Sequence, residues 1–435
     1  MPHWIQGTPW WLLTLAGIGS LAAVSAIITL FSSLGRRPRE TTVTAAPPMG
    51  SIDFLEAISG AVNAPLRTGG QATLLNNGDA FFPEILSAIR GAQWTINFFV
   101  YIWEPGEASR MVIDALVDRA QAGVQVRVLL DGIGGFRAPR ADIRRLKAAG
   151  GRVNRFRALQ PGKLLRLHKR NHRRAIVIDG NIGFTGGAAI GDKWLGHAQD
   201  PKHWRDSMVK VTDCMAVNLQ SAFAEPWAYT CGELLVGPEF WPVQPNGDGA
   251  ESATRHVHLV SSPSSEEHPV RLFFALSFMA ARKTLYIATS YFVPDRDMRE
   301  IVAERARQGV DVRILVPNWF TDARPIRLAG RSYYDDLLSA GVRIYEYQRT
   351  MMHCKHVVID QQWSIVGSAN MDVRSKELNQ ENVLGILDTG FARQIEESFL
   401  RDLEQAQELK LDAWRRRNYW ERAKERFWVL FAEQY

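Results

Sequence analysis

The sequence predicts an α/β protein built from two copies of one unit. Three observations carry that expectation. Apolar β-type runs alternate with helical runs through most of the 435 residues. The order strand, helix, strand occurs twice, and its clearest match sets Arg119-Ala-Gln-Ala-Gly-Val-Gln-Val-Arg-Val-Leu-Leu130 against Arg305-Ala-Arg-Gln-Gly-Val-Asp-Val-Arg-Ile-Leu-Val316. Each copy then leads to one histidine pattern at a constant offset. The first reads His172-Arg-Arg174-x4-Asp179 followed by Gly186-Gly187-Ala188-Ala189. The second reads His353-Cys354-Lys355-x4-Asp360 followed by Gly367-Ser368-Ala369-Asn370. Strands alternating with helices imply sheets whose faces are covered by helices.

From the N-terminus, the first element is an apolar, charge-free stretch, Trp10–Phe31. As a helix it is roughly 30 Å long, enough to cross a bilayer core. Trp4, Trp10 and Trp11 stand at one end, where indoles favour the membrane interface, and Arg36, Arg37 and Arg39 follow the other. A cleaved signal peptide would want basic residues before the apolar run, and nothing before Arg36 supplies one. Residues 1–37 are therefore read as a single-pass anchor in the cell membrane, with the arginines and all that follows on the cytoplasmic side.

Residues 38–50 are a Pro- and Thr-rich linker, and 38–70 lead into the body. The first repeat, 71–245, holds a strand at Trp94–Tyr101, a helix at Ser109–Gly123 and a strand at Val124–Leu130. The second, 246–403, repeats them at Thr284–Tyr291, Met298–Gly309 and Val310–Val316. A further helix ends in Ala149-Gly150 in one copy and Ala340-Gly341 in the other. The stretch from Gly150 to His172 is ten residues longer than that from Gly341 to His353, and the excess around Pro161–His168 is a basic loop before the histidine. Residues 404–435 form a basic, aromatic tail running from Trp414-Arg-Arg-Arg417 to Phe427-Trp-Val-Leu-Phe431. Such a mixture suits an interfacial helix or a helix packed on the body.

The net charge of +6 favours acidic partners, anionic lipid headgroups or nucleic acid, without choosing between them. Cys214, Cys231 and Cys354 are too scattered for a disulfide framework or a zinc cluster. No metal-ligand spacing such as His-Glu-x-x-His is present, and no cofactor or metal is expected.

One site built from two histidines can split a phosphodiester in two steps: one imidazole attacks phosphorus and the other protonates the departing oxygen. On an extended segment residues i and i+2 point the same way. His172 with Arg174, and His353 with Lys355, therefore face one pocket, and the cations suit the charge on the phosphoryl oxygens. Asn370 offers an amide donor. Ser368 offers a hydroxyl to an imidazole or to phosphate, and Gly187, at the corresponding turn, is expected with Ser368 and Asn370 to bind the substrate phosphate.

The duplicated His-x-Lys-x4-Asp resembles the signature of the phospholipase D superfamily, from about Gln71 to Leu403. The phrases Asn77-Gly-Asp-Ala-Phe-Phe82, Tyr101-Ile-Trp-Glu104, Phe184-Thr-Gly-Gly187, Trp204-Arg-Asp206 and Gly367-Ser-Ala-Asn-Met-Asp-x-Arg-Ser375 are similar to its bacterial cardiolipin synthase branch. The resemblance implies two phospholipase D-like α/β sandwich repeats, related by a pseudo-twofold axis, sharing one active site after the transmembrane helix. It implies that Asp179 and Asp360 are mainly structural. The imidazoles would be oriented by carboxylates about thirty residues further on, here Asp206 and Glu381. By analogy His172 is the nucleophile and His353 the acid. The implied reaction moves a phosphatidyl group from one phosphatidylglycerol to another and releases glycerol. A phospholipase D-type hydrolase, a nuclease and a lipid-binding pseudoenzyme are the alternatives. The anchor favours a lipid substrate and a membrane partner over nucleic acid. The first motif departs from the pattern twice, with Arg174 for lysine and Ala189 for asparagine.

Overall fold

Runs rich in Val, Ile, Phe and Tyr become strands, and the polar, periodic runs between them become helices. The computed structural model describes Pro9 and residues 46–158, 170–243, 254–262 and 268–431. The expected anchor Trp10–Phe31 and the basic loop Pro161–His168 lie outside the described residues. Among the described residues no helix is long and apolar enough to cross a membrane.

After a helix at Ile52–Val62 comes β1 (Leu66–Thr68). The first repeat holds β2 (Ala72–Asn76), β3 (Thr95–Val100), β4 (Gln125–Asp131), β5 (Arg152–Phe156), β6 (Ala175–Ile178), β7 (Ile182–Gly186) and β8 (Ser207–Thr212). The second holds β9 (Arg255–Ser261), β10 (Thr284–Thr289), β11 (Asp311–Pro317), β12 (Arg343–Tyr347), β13 (Lys355–Ile359), β14 (Trp363–Gly367) and β15 (Glu381–Leu387), with β16 (Ala406–Leu409) behind them. The first sheet runs β2-β8-β7-β6-β3-β4-β5. The second runs β1-β9-β15-β14-β13-β10-β11-β12-β16. Without its two edge strands the second order is that of the first, strand for strand. The expected duplication is therefore present in the topology itself. In both repeats three neighbouring strands toward one side of the sheet, β3-β4-β5 and β10-β11-β12, are parallel, and the histidine strand joins the first of them antiparallel.

Alternation along each strand divides the core. Ile96 and Phe98 of β3 pack with Phe81, Ile85 and Leu116 on the first repeat's outer helices. Leu285 and Ile287 of β10 pack with Phe273 and Trp363 in the second. A third core lies between the repeats: Phe99, Val177, Phe223 and Trp227 of the first meet Tyr286, Val358, Leu384 and Phe399 of the second. The last helix of each repeat (Asp213–Cys231 and Thr389–Leu403) supplies that layer and touches a strand of the other.

The lead-in and tail are not mere connectors. Phe54, Leu55 and Ile58 of the first helix join the second repeat's core, and Phe54 meets Trp363 edge-on at 5.3 Å. β1 extends the second sheet beside β9. The tail adds β16 to its other edge, then helices at Leu411–Arg415 and Tyr419–Val429.

Candidate active site at the seam of the repeats

The ends of the two sheets meet at the histidine segments through backbone pairing. His172 N donates to Gln380 O (2.9 Å), and His353 N donates to Arg205 O (2.7 Å). Each histidine is thus threaded against the other repeat. Asn382 extends the seam: its Oδ1 accepts Arg174 N (3.1 Å), and its Nδ2 donates to Thr185 Oγ1 (2.8 Å). Arg205 braces the other side through Asp402 (2.8 Å) and Ser398 (2.8 Å).

The carboxylates cross over. Glu381 of the second repeat accepts from His172 Nδ1 at 3.1 Å. Asp206 of the first accepts from His353 Nδ1 at 2.7 Å. The residues expected about thirty positions past each histidine do meet imidazoles, but each meets the imidazole of the opposite copy. A proton on Nδ1 leaves each Nε2 with its lone pair. Burial, with Arg174 beside it, lowers the His172 pKa to about 4. Burial, with Lys355 beside it, lowers His353 to about 4 as well. Burial alone would raise both carboxylates. His353 and Lys355 outweigh it at Asp206, and His172 and Ser368 at Glu381, so both are held below their ordinary values. The free site therefore pairs two neutral imidazoles with two ionised carboxylates.

Lys355 Nζ lies 3.2 Å from His353 Nε2 and donates to Ser290 Oγ at 2.9 Å. Burial lowers its pKa to about 8, so it is still a cation at neutral pH. Arg174 is fully buried and donates through Nη1 to His172 O. Its Nε and Nη2 are buried without a hydrogen-bond partner. Arg127, Arg170, Arg173 and Arg327 also leave buried nitrogens unpartnered, so it is the place of Arg174 beside His172, and not the unmet donors alone, that marks it.

The turn residues divide into three kinds. Asp179 accepts from the backbone N–H groups of Gln93, Trp94 and Thr95 at 2.7–2.8 Å. Asp360 does the same for Arg282, Lys283 and Thr284 at 2.7–2.9 Å. Both hold turns and neither touches an imidazole. Ser368 donates to Glu381 rather than to an imidazole. Gly187 departs from the expected phosphate-binding place: its N–H donates to Ser207 O (3.0 Å), and a Cβ there would meet Asp206 Oδ1 at 2.1 Å. The bare glycine lets Asp206 reach His353. Asn370 is buried with its Oδ1 unpartnered, and its backbone N–H donates to Ser375 Oγ at 3.1 Å. Ala189, in its place in the first repeat, is part of that repeat's core.

Several neighbours were not legible as site residues. Tyr101 stands edge-on to His172 with ring centroids 4.9 Å apart, and Tyr291 lies 6.4 Å from His353. Trp204 lies 5.3 Å from His353, and Trp194 donates to Asp206 Oδ2 at 2.9 Å. The two tyrosines each follow the first strand of the parallel trio, and aligning the repeats there would have marked them.

Two buried imidazoles at the seam of a duplicated α/β fold define the phospholipase D-like class. The sequence profile described as "Cardiolipin synthase, PLD-like domain" matches residues 85–214 and 277–403. Cardiolipin synthase 1 of Bacillus cereus is 34% identical over 391 residues, covering 88% of this chain and 76% of that protein. Cardiolipin synthase 2 of Bacillus anthracis is 33% identical over 374 residues, covering 86% and 72%. The chain belongs to the cardiolipin synthase family of phospholipase D-like proteins. Among solved structures, phosphatidylserine synthase of Haemophilus influenzae shares the fold, with a TM-score of 0.65 at 17% identity over 87% of this chain and 97% of that one.

Proposed function

We propose that this protein is a phosphatidyltransferase that makes cardiolipin from two phosphatidylglycerol molecules and releases glycerol. The observation that carries the reading is the crossed pair of histidine–carboxylate couples beside the two unpartnered donors of Arg174. Arg174 and Lys355 balance Asp206 and Glu381, so the empty charge set is neutral. A phosphodiester anion adds one negative charge, which favours a proton on one imidazole.

In the first step His172 Nε2 attacks phosphorus. The P–N bond forms, the P–O bond to glycerol breaks, and His353 gives its proton to the departing oxygen. In the second, His353 takes the proton of a hydroxyl on another phosphatidylglycerol. That oxygen attacks phosphorus, the P–N bond breaks, and His172 is restored. Arg174, Lys355 and Asn370 hold the phosphoryl oxygens as charge builds on them. Trp10–Phe31 anchors the chain in the cell membrane as one span, with the catalytic body on the cytoplasmic side.

Purified protein incubated with phosphatidylglycerol vesicles should release glycerol and cardiolipin in equal amounts. Phosphatidic acid as the sole lipid product would make it a hydrolase instead. Cleavage of an oligonucleotide with the lipid untouched would make it a nuclease.

A further inference from the structure

Both repeats raise an apolar tip beside the site. The loop after β4 exposes Ile133 (41%) and Phe136 (63%), and the loop after β11 exposes Trp319 (61%) and Phe320 (41%). The two tips are built alike. Asp131 Oδ1 accepts Ile133 N at 2.8 Å, and Asn318 Oδ1 accepts Phe320 N at 2.9 Å. Such turns fix the backbone two residues on. Asp131 is itself fixed by Arg170 (3.0 Å), and the Arg327 guanidinium covers Trp319 at 4.4 Å while pairing with Glu346. Apolar groups are thus held out toward water by ordered backbone. Exposed cations follow them: Arg137 and Arg140 in the first repeat, Arg324 in the second. Arg137 shares a loose ion pair with Glu104 at 3.3 Å.

Both loops touch the tyrosines that touch the imidazoles. Gly134 O accepts Trp103 N (3.3 Å), and a Cβ at Gly134 would meet Tyr101 O at 2.2 Å. Asp322 Oδ1 accepts Tyr291 OH at 2.8 Å. The loops leave parallel strands at the ends where the repeats meet, so they flank the opening through which the His172 side chain, 12% exposed, reaches the surface.

We propose that the two tips seat this opening on an anionic bilayer surface. Ile133, Phe136, Trp319 and Phe320 enter the boundary between headgroups and acyl chains, and Arg137, Arg140 and Arg324 meet lipid phosphates. The proposal rests on the phosphatidyl-transfer reading and gives that site its access to substrate. Apolar tips followed by cations fit a lipid surface, where each kind of group finds its own depth. A nucleic acid would be met by cations at the tips, not by Ile and Phe. Seating at headgroup level lets a lipid phosphate reach the histidines while its acyl chains stay in the bilayer.

The test uses the full chain, with Phe136, Trp319 and Phe320 changed together to serine and, separately, to leucine. Turnover is compared on phosphatidylglycerol vesicles and on monomeric dihexanoyl phosphatidylglycerol. The serine variant should lower the vesicle-to-monomer ratio about tenfold or more, because three apolar anchors are lost, and the leucine variant should restore most of it. A serine variant with the parent's ratio overturns the proposal, as does a leucine variant that falls as far. Amide exchange gives a readout independent of turnover. Residues 131–138 and 317–323 should be protected in phosphatidylglycerol nanodiscs relative to the same chain in an amphipathic polymer, and equal exchange overturns seating. A parent protected there that makes no cardiolipin upholds seating and fails the transferase reading. Tip protection by an oligonucleotide and not by nanodiscs would overturn seating in favour of nucleic acid.

Discussion

His172 and His353 occupy equivalent places, yet different groups stand beside them. His353 has the ammonium of Lys355 at 3.2 Å from its ring, whereas Arg174 turns one nitrogen to His172 O and leaves two donors unmet. We propose that Arg174 serves as a phosphate clamp with a planar fork. Arg174→Ala should lower kcat about 100-fold or more, the cost of one preorganised donor to a charged transition state. Arg174→Lys should keep part of the rate. Parental activity in Arg174→Ala, measured by cardiolipin formation, would remove the first motif from the chemistry. The carboxylates supply a second prediction. Asp206→Ala and Glu381→Ala should each cost roughly 100- to 10,000-fold in kcat through a wrongly oriented imidazole, with normal circular dichroism. Alkaline quench and mass spectrometry should find the phosphoryl adduct on His172 and not on His353. The family resemblance marked both carboxylates, but not which histidine each serves. That partner lies across a seam, 209 residues away for Glu381 and 147 for Asp206 in the reverse direction.

At the scale of elements, the turns at Asp179 and Asp360 show how a motif residue can be structural. Both adopt left-handed backbone (φ 50° and 52°), which aspartate tolerates, and each gathers three N–H groups at the start of β3 or β10. Asp179→Ala should strip those donors and cost on the order of 3 kcal/mol, while the folded fraction keeps most of its kcat. A normal thermal midpoint with a collapsed kcat would reverse that assignment. The strand–helix–strand units were legible because their periodicity is strong: the expected strands Trp94–Tyr101 and Thr284–Tyr291 differ from β3 and β10 by at most two residues at either end. The lead-in was less legible. Ile52–Val62 and β1 precede the first repeat yet pack on the second, and no local pattern encodes that choice. Of the two readings left open for the tail, the structure shows the helix packed on the body. Trp414 and Glu425 are buried, with Glu425 paired to Arg331 and Arg417, while Trp420, Phe427 and Leu430 remain exposed.

Across the whole molecule, the same burial that keeps His172 and His353 neutral sets a limit on acid stability. Burial lowers His172, His258 and His353 to about 4, and His256 and His356 to about 3. Each binds a proton near pH 6.5 when unfolded but not when folded. Stability is therefore complete above about pH 6.5 and falls as pH drops toward 4, by on the order of 1 kcal/mol per pH unit for each histidine. Asp372, raised to about 6 by burial, works in the other direction with a single proton. The thermal midpoint of the full chain should fall steeply between pH 6.5 and 5, before ordinary carboxylates titrate. His356 provides the sharper test, because neither of its ring nitrogens has a partner and it lies outside the proposed catalytic set. His356→Leu should raise the midpoint at pH 7, since two unpaired buried polar atoms are removed. It should also flatten the acid slope by about one proton. A midpoint unchanged from pH 7.5 to 5 in the parent, or a slope identical in His356→Leu, would show that these imidazoles gain protons as readily folded as unfolded.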